Sequence, residues 1–550
     1  MSQLQQWRLA ITPLSPVHLG TGQDYEPTGY VIDAGALYEF DGIGALRALP
    51  AAERERLSKI LDGRPTQAML LQVQSFFHDN RARLIAASRN QVRVNPTVEA
   101  FYGERIGKVA QHESGGNKVQ NRLEIERTAY NPPSGRPIIP GSALKGAIRT
   151  ALLDQYNNGA SLPAELRGDR KANQKLQEHL FRYQMRELER DPMRLVRLSD
   201  AALARPDDFA TEVRFAVNRK KQLVMKGDVL LQSQAEQKNL YQLLECLPGM
   251  EARAFVGELS IQGAGGLESP RWPELRFRFG EIAVACNRFF RPILGRELDL
   301  LHQRGYLDEA WAEQVQGLLQ GPLGKAVDED RAFLLRVGRH SGAESVTLNG
   351  VRHIKIMKGK GEPPEYLDDA KTVWLASDER QSQRHLLPFG WLLVEPHWDA
   401  AELAPWPLKI ASSAVADWRA AVRVRQAAVQ AEADEIKRRE EARLRDAEEA
   451  RQAEEARAAR LASLSEEARK IEHLRELLAR DRAANRKEAG GALTEQLVAL
   501  LKEAEESWQG PECAALADLA LEIYGFIGWP SSKKRQQRQA QIEAVRVKAP

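Results

Sequence analysis

The chain has 550 residues, 43% hydrophobic and 28% charged, with a formal net charge of only +3 at pH 7. This length exceeds what one hydrophobic core supports, so we expect two or three domains. The near-neutral balance excludes a globally basic protein, and any nucleic-acid surface must come from local clusters of cations.

The cysteines and the apolar runs indicate the compartment. Cys246, Cys286 and Cys513 lie far apart and form no Cys-x-x-Cys pattern, which argues against a disulfide framework or a zinc site. No signal-peptide pattern and no run of about 18 apolar residues occurs. We therefore expect a cytoplasmic protein that needs no membrane, metal or cofactor.

The N-terminal region reads as strands followed by helices. Residues 7–19 alternate between polar and apolar and predict a strand that ends in the turn Gly20-Thr21-Gly22. Two short strands around 30–32 and 37–40 suit a hairpin, and 43–86 have a helical pattern. His18 lies beside the first glycine turn, where a histidine is either structural or catalytic.

Residues 88–135 predict a long, polar, partly mobile excursion. Asn95-Pro96 and Asn131-Pro132-Pro133 mark turns within it. At its end, Arg127-Thr128-Ala129-Tyr130 places a cation beside an aromatic ring, which suits phosphate contact and base stacking. The alternative is an ordinary surface loop.

The stretch from Arg136 to Leu153 carries the strongest local signal. Pro140-Gly141 breaks a short apolar strand, and Ser142 is placed to cap the helix that follows. Lys145 and Arg149 are four residues apart and share a face. A helix start with two cations predicts an anion site, most simply for phosphate. The alternative is an amphipathic helix with solvated cations.

Further glycine turns follow later strands. We predict strands at 194–200, 212–217 and 251–262, helices over 164–190 and 278–320, and late strands at 372–375 and 385–394. Gly263-Ala264-Gly265-Gly266 lacks the spacing of a nucleotide-binding fingerprint and is either a backbone cradle or a simple turn. A strand at 333–338 leads into Arg339-His340-Ser341-Gly342, and 350–360 form a basic patch that includes Arg352.

The composition changes after Pro407. Between Ala431 and Arg460, 18 of 30 residues are charged, which predicts a long charged helix that folds back near 462–466. Residues 491–528 predict two short amphipathic helices. The tail at 532–538 is basic and either contacts nucleic acid or is disordered.

Taken in order, these motifs resemble a known family. They are Leu14-Ser-Pro-Val-His-Leu-Gly-Thr-Gly22, Ile125-Glu-Arg-Thr-Ala-Tyr130, Ile139-Pro-Gly-Ser-Ala-Leu-Lys-Gly-Ala-Ile-Arg-Thr150, Leu335-Arg-Val-Gly-Arg-His-Ser-Gly342 and Leu387-Pro-Phe-Gly-Trp391. Over about 1–400 the chain resembles the RAMP superfamily of CRISPR-associated proteins. Within it, the resemblance is strongest to the fifth-subunit family of the Csm, or type III-A, effector complexes.

The resemblance implies an α+β fold with two ferredoxin-like (RRM-like) RAMP domains and helical insertions. The expected divisions are 1–270, with an insertion at 52–135, and 271–407. A long charged helix or coiled coil at 408–489, and a small helical segment with a basic tail at 490–550, complete the expected chain.

The function it implies is that of a non-catalytic subunit that binds CRISPR RNA. The subunit would cap the complex backbone near the RNA 3′ region and support RNA maturation and antiviral defence. Its partners would be the backbone RAMP subunits, the large Cas subunit assembly and host nucleases. The candidate RNA-binding residues are His18, Gly20, Arg127, Tyr130, Gly141, Ser142, Lys145, Gly146, Arg149, Gly265, Gly266, Arg339, His340 and Arg352.

Two alternatives stay open. A RAMP-type endoribonuclease would use His18 or His340 with Lys145 near a 2′-hydroxyl, or would hold a metal through Asp24, Glu26, Asp33 and Asp41. A scaffold whose long helix recruits an accessory protein is compatible with RNA binding.

Overall fold

The computed structural model describes residues 4–108, 123–227, 229–263, 272–356, 361, 363–407, 412–488 and 490–549. Within these residues the chain forms two units, 1–433 and 434–550. The first combines sheets with helices and the second is helical, so the expected mixture of helix and sheet is confirmed. No described helix is both long enough and apolar enough to cross a bilayer.

The strands all lie in the first unit of the described chain. They are β1 Leu4–Pro13, β2 Asp24–Tyr25, β3 Tyr30–Asp33, β4 Ala36–Glu39, β5 Asn90–Arg93, β6 Ile125–Glu126, β7 Tyr130–Asn131, β8 Arg136–Pro137, β9 Val196–Leu198, β10 Ala202–Leu203, β11 Glu212–Lys220, β12 Met225–Lys226, β13 Val229–Leu230, β14 Tyr241–Cys246, β15 Phe255–Gln262, β16 Phe333–Arg336, β17 Ile354–Ile356, β18 Glu365–Leu367, β19 Thr372–Ser377, β20 Leu387–Pro388 and β21 Trp391–His397.

The helices are distributed over both units. They are α1 Gly42–Ala48, α2 Ala51–Leu61, α3 Gln67–Asp79, α4 Arg81–Ala86, α5 Pro96–Arg105, α6 Gly141–Asn157, α7 Ala172–Phe181, α8 Gln234–Gln237, α9 Phe279–Gln303, α10 Glu309–Gln320, α11 Pro322–Asp328, α12 Ser412–Ala462, α13 Glu466–Ala483, α14 Ala492–Ser507, α15 Pro511–Ile527 and α16 Ser532–Val547.

Strand β1 lies inside one antiparallel sheet. The order in this sheet is β10-β15-β1-β21-β16, with β9 also paired to β15. Every residue of β1 from Leu9 to Pro13 is buried, so both faces of this part of the strand are covered, as expected of a central strand packed on two sides. The N-terminal strand predicted over 7–19 is present but ends at Pro13, and it pairs with strands far along the chain.

A second sheet has the order β2-β6-β14-β11-β5-β4-β3, with β19 on β11 and β20 on β19. Its β3–β4 hairpin turns through Ala34 and Gly35, which have φ values of 49° and 77°. This is the hairpin predicted for 30–40, since consecutive positive φ angles match the twist of paired strands.

Both sheets take strands from both sides of 270/271. Strand β1 lies between β15 and β21, and β11 lies between β14 and β19. The division predicted at 270/271 therefore falls inside the first unit and does not separate two units.

The excursion predicted for 88–135 is partly regular structure. It contains β5, α5 and the short strands β6 and β7. Asn95, interpreted above as a turn residue, caps α5 by accepting a hydrogen bond from the Val98 amide at 2.8 Å, with Pro96 at the first helical position. Val98 and Phe101 are buried, so the Asn-Pro pair marks a helix start.

The first part of α12 is anchored to the first unit. Val415, Val422 and Val429 recur every seven residues and are buried. The Trp418 indole donates to the Gly35 carbonyl at 3.0 Å, and Arg425 pairs with Asp33 at 3.0 Å. The charged helix therefore begins as part of a packed core.

The second unit is a cluster of helices. Helix α12 ends at Ala462 and α13 begins at Glu466, and Arg457 and Arg460 pair across this turn with Glu476 and Glu472. The fold-back predicted near 462–466 is confirmed. Apolar residues of α13 pack with α14, α15 and α16 around one core. The basic tail forms α16, so the alternative that it is disordered is wrong.

Candidate nucleic-acid interface

Three segments meet where β1 ends. The Arg339 amide donates to the His18 carbonyl at 2.9 Å, the Leu19 amide to the Thr128 hydroxyl at 3.1 Å, and the Arg127 amide to the Gln23 carbonyl at 2.9 Å. These contacts gather six of the predicted residues into one region, which we call the loop cluster: His18, Gly20, Arg127, Tyr130, Arg339 and His340.

Glycine is required where two of these segments touch. Gly338 has a φ of 81°, and a Cβ atom at this position would lie 2.3 Å from the His18 carbonyl oxygen. Because no side chain fits that space, the turn after β16 packs directly on the backbone of the loop after β1. The glycine turn identified in the sequence thus has a structural function at this position.

A buried carboxylate, Glu245 of β14, organises the loop cluster. It accepts hydrogen bonds from the hydroxyls of Tyr25, Tyr130 and Thr211 and from the Thr128 amide. Burial raises the pKa of Glu245, against the opposing effect of these hydrogen bonds. Glu245 was not predicted from the sequence, although a lone acid in the apolar run Leu243-Leu244-Glu245-Cys246-Leu247 was a usable signal.

His18 is completely buried. Its Nδ1 lies 2.7 Å from the Glu245 carbonyl oxygen, which requires the proton on Nδ1, and its Nε2 has no hydrogen-bond partner. Burial lowers the pKa of His18, which favours the neutral ring. In this position the side chain does not touch solvent.

His340 is also held by its neighbours. Its ring stacks on Trp374 with 4.9 Å between centroids, and its Nε2 lies 2.7 Å from the Gln242 amide oxygen. Burial, with the nearby Arg339 cation, lowers the pKa of His340 to about 3. The ring is therefore neutral near pH 7 and poorly matched to acid–base work there.

The cations of the loop cluster already have partners. Arg127 pairs with Glu39 at 2.8 Å and lies over the rings of Tyr25 and Tyr130, at 5.0 and 4.8 Å from their centroids. Arg339 pairs with Glu126. A phosphate at this place would compete with carboxylates, so the loop cluster is a weak anion site in this conformation.

The four carboxylates considered for a metal do not form one site. Asp33 pairs with Arg81 and Arg425, while Asp41 caps α1 and pairs with Arg89. Across the part of the chain that the structure describes, no three His, Cys, Asp or Glu residues are grouped as metal ligands.

Helix α6 begins two residues earlier than predicted. Pro140 is at the cap position and Gly141 is the first helical residue, so Ser142 is not the cap. The Gly141 amide donates to Asp200 at 2.8 Å, and a Cβ atom on Gly141 would lie 2.5 Å from the Leu198 carbonyl oxygen. A carboxylate of the chain itself therefore occupies the helix start, and Gly141 serves close packing.

The exposed side of α6 presents Ser142, Lys145, Gly146 and Arg149, which we call the α6 face. Arg149 binds Asp191 at 2.7 Å, the Tyr183 hydroxyl at 2.8 Å and the Gln177 amide oxygen at 3.1 Å. It ties the helix to 177–191, and its guanidinium is largely used within the fold.

Lys145 is the available cation of the α6 face. It is half-buried, and no ion pair or hydrogen bond joins its ammonium group to the residues that the structure describes. Burial lowers the pKa of Lys145, with Asp191 opposing and Arg149 and Arg197 reinforcing the shift. Ser142 and Gly146 beside it are exposed, and a Cβ atom on Gly146 would meet nothing within 4 Å. An anion can approach the lysine here.

The remaining candidates lie elsewhere. Arg352 binds the Thr347 hydroxyl at 2.9 Å and the Asn349 amide oxygen at 3.1 Å, so it supports its own loop. That loop reaches the far end of α6, where the Asn349 amide donates to Asp154. Gly265 and Gly266 lie outside the described residues.

Comparisons with known proteins give one family. Residues 10–318 match the model described as the RAMP superfamily. The chain is 24% identical over 157 residues to the "CRISPR system Cms protein Csm5" of Streptococcus thermophilus, covering 28% of this chain and 40% of that protein. It is 25% identical over 160 residues to the protein of the same name from Mycobacterium tuberculosis, covering 27% and 39%. The chain thus spans about two fifths of the length of these relatives.

Two solved structures match this chain at low similarity. One is a cryo-EM structure of a Csm–crRNA–target RNA ternary complex of a type III-A CRISPR–Cas system, with 16% identity and a TM-score of 0.41 over 71% of this chain and 100% of the matched chain. Another is a crystal structure of T. onnurineus Csm5, with 16% identity and a TM-score of 0.41 over 70% and 99%.

Proposed function

This chain belongs to the RAMP superfamily, as its motifs indicated, and from that premise we propose that it is a subunit of a type III CRISPR effector ribonucleoprotein. In this proposal it binds CRISPR RNA through the α6 face and does not cleave it. The family match and the partial similarity to proteins named Csm5 support the assignment to such a complex.

The observation that carries RNA binding is the unpaired, half-buried ammonium group of Lys145. A cation in a partly desolvated place interacts more strongly with phosphate than a solvated surface lysine does. Arg149 fixes the helix through Asp191 and Tyr183, so Lys145 is presented on a rigid element. The exposed Ser142 hydroxyl and the open space at Gly146 leave room for a sugar–phosphate backbone.

The non-catalytic part of the proposal is supported by the histidines. Burial lowers the pKa of both His18 and His340 and so weakens them as bases, and His18 has no solvent contact. A metal-free ribonuclease needs a base in contact with the 2′-hydroxyl, whereas His18 is completely buried and the His340 Nε2 contacts the Gln242 amide oxygen.

Finer features of the assignment belong to the same proposal. The chain caps the backbone of RAMP subunits near the RNA 3′ region, contacts the large Cas subunit assembly and works with host nucleases in the cytoplasm. Its two sheets correspond to the two ferredoxin-like folds of the family, and α12 acts as a coiled-coil element. Placing the chain in an experimental structure of the assembled complex tests each of these features.

The test of the proposal is to identify what co-purifies with a tagged full-length chain from its host. We expect CRISPR RNA together with other type III effector subunits, and less RNA with Lys145→Glu than with wild type. Lys325→Glu is the control, because Lys325 is an exposed helical lysine of the same unit, 3.8 Å from Glu329.

Two results would contradict the proposal. One is recovery of the effector subunits with no loss of RNA in Lys145→Glu. The other is cleavage of labelled CRISPR RNA by the purified chain that is lost in His18→Ala or on chelation, which would favour the endoribonuclease.

A further inference from the structure

Most cations of the second unit are paired with carboxylates. Arg438 and Arg439 bind Glu435, Arg451 binds Glu448, Lys470 binds Glu466 and Glu503, and Arg546 binds Asp518. Such pairs are expected where charges only keep a helical surface soluble. Cations without such partners are left to interact with solvent or with an anion outside the chain.

One end of the helical cluster brings together three helix termini. Arg482 near the end of α13 pairs with Glu522 at 2.6 Å and lies over the Phe526 ring near the end of α15. Trp529, which precedes α16, stacks on Tyr524 of α15 with 4.6 Å between centroids. The ends of α13 and α15 thus meet the start of α16.

This end carries exposed cations, which we call the basic end: Arg480, Arg486, Lys487, Lys533, Lys534 and Arg535. Within the described chain, none of them is within ion-pair distance of a carboxylate. Four acids lie at or near the same end, Asp481, Glu488, Glu495 and Glu522, and Glu522 is used by Arg482. The local charge therefore stays positive although the whole chain is nearly neutral.

Aromatic rings are interleaved with these cations. Phe526 and Trp529 are both half-exposed. The Arg535 guanidinium lies 5.3 Å from the Trp529 centroid, and the Lys487 ammonium lies 5.7 Å from the Phe526 centroid. Surfaces that bind single-stranded nucleic acid combine backbone cations with stacking planes, which rings and guanidinium groups both provide.

The position of the cations on α16 also costs stability. Lys533, Lys534 and Arg535 lie in or next to its first turn, which has no acidic residue. A helix start carries positive partial charge, so cations there are unfavourable until an anion approaches.

We propose that the basic end of the second unit binds a single-stranded nucleic acid through phosphate contacts to Lys533 and Lys534 and through stacking on Arg535 and Trp529. This surface is separate from the α6 face and goes beyond the function proposed above. An acidic protein surface would satisfy the cations but would make no use of the aromatic rings beside them, on which the bases of a nucleic acid can stack.

The test measures binding of a fluorescent oligouridylate to the full-length chain as a function of salt. The variant Lys533→Gln/Lys534→Gln is compared with Lys437→Gln/Arg438→Gln, which removes two adjacent, exposed, ion-paired cations of the same unit. Two lost phosphate contacts reduce the slope of log K against log salt by about 1.4. We expect that reduction in the first variant alone, and photo-cross-links to peptides containing Phe526 or Trp529.

Three results would overturn the inference: an unchanged salt slope in Lys533→Gln/Lys534→Gln, equal binding of a duplex of the same length, or equal competition by polyglutamate. Repeating the titration in Lys145→Glu separates the two surfaces. In the Lys145→Glu background, Lys533→Gln/Lys534→Gln should still reduce the salt slope, whether or not the α6 face binds RNA.

Discussion

At the residue scale, Lys145 and Arg149 show how two cations on one helical face acquire different functions. Arg149 donates one hydrogen bond to each of Asp191, Tyr183 and Gln177 and stabilises the fold. Lys145 makes no ion pair or hydrogen bond with the residues that the structure describes, and for this reason the proposed function assigns the phosphate contact to it. The sequence places both cations on one helical face. Which of them is paired within the fold depends on partner residues about 30 to 45 positions further along the chain.

His340 gives a testable pH dependence. Its pKa lies near 3 in the folded chain against 6.5 ordinarily, so the unfolded chain binds the proton more readily. The stability from its neutral ring is present above pH 6.5 and is lost as the pH falls toward 3, by up to about 1.4 kcal/mol per pH unit. Urea unfolding at pH 5 and 7 should show a smaller loss of stability for His340→Asn than for wild type. Asparagine tolerates the positive φ of this position.

The control for this experiment is the same comparison between pH 7 and pH 8, above the ordinary pKa of histidine. There wild type and His340→Asn should show equal changes in stability. A His340→Asn variant with the full wild-type pH dependence would show that the buried ring does not resist protonation.

At the element scale, α6 packs closely against β9 because Gly141 has no side chain. Gly141→Ala would place a Cβ atom 2.5 Å from the Leu198 carbonyl oxygen. We expect it to lower the free energy of unfolding by about 1–3 kcal/mol, because the helix start must move. Gly146→Ala meets open space and should raise it by up to about 1 kcal/mol through helix propensity.

These two glycine variants form a matched pair on one helix, and thermal unfolding of both measures the difference. Equal effects of the two substitutions would contradict the packing of α6 described here.

Turn residues and hydrophobic periodicity predicted the elements that depend on residues close together in the sequence. The hairpin at 30–40, the helix after Pro140 and the fold-back near 462–466 were all identified from turn residues and periodicity. Asn95-Pro96 was misread because the same dipeptide marks both turns and helix starts. Strand β14 was missed, although it carries Glu245, because its importance comes from hydroxyls brought to it by other segments.

At the scale of the whole molecule, long-range strand pairing decides the architecture. Arg8 of β1 lies opposite His397 of β21, and the Trp391 amide donates to the Ser15 hydroxyl. No local sequence pattern indicates that pairing. The sequence therefore suggested a division at 270/271, although both sheets contain strands from both sides of it. The candidate site was predicted only in part for the same reason. Glu39 and Glu126 form ion pairs with cations that were expected to face RNA, and Asp200 accepts a hydrogen bond from an amide that was expected to do so.

The first unit ends within α12, which leads to a prediction about truncated chains. Trp418 and Val422 pack in a small core with the β3–β4 hairpin and α1–α4. A chain ending at 433 should keep its melting temperature for the first unit. A chain ending at 411 should lose stability of about 3 kcal/mol or more through the exposed core. Equal thermal unfolding of the two truncations would contradict the anchoring of α12.

The central claim, that Lys145 contacts the phosphate backbone of CRISPR RNA, is tested most directly by a salt titration. Labelled CRISPR RNA is bound to purified full-length chain, Lys145→Gln and Lys325→Gln across a range of salt. Loss of one phosphate contact should reduce the slope of log K against log salt by about 0.7 in Lys145→Gln and leave Lys325→Gln as wild type. Identical slopes for all three proteins would contradict the claim.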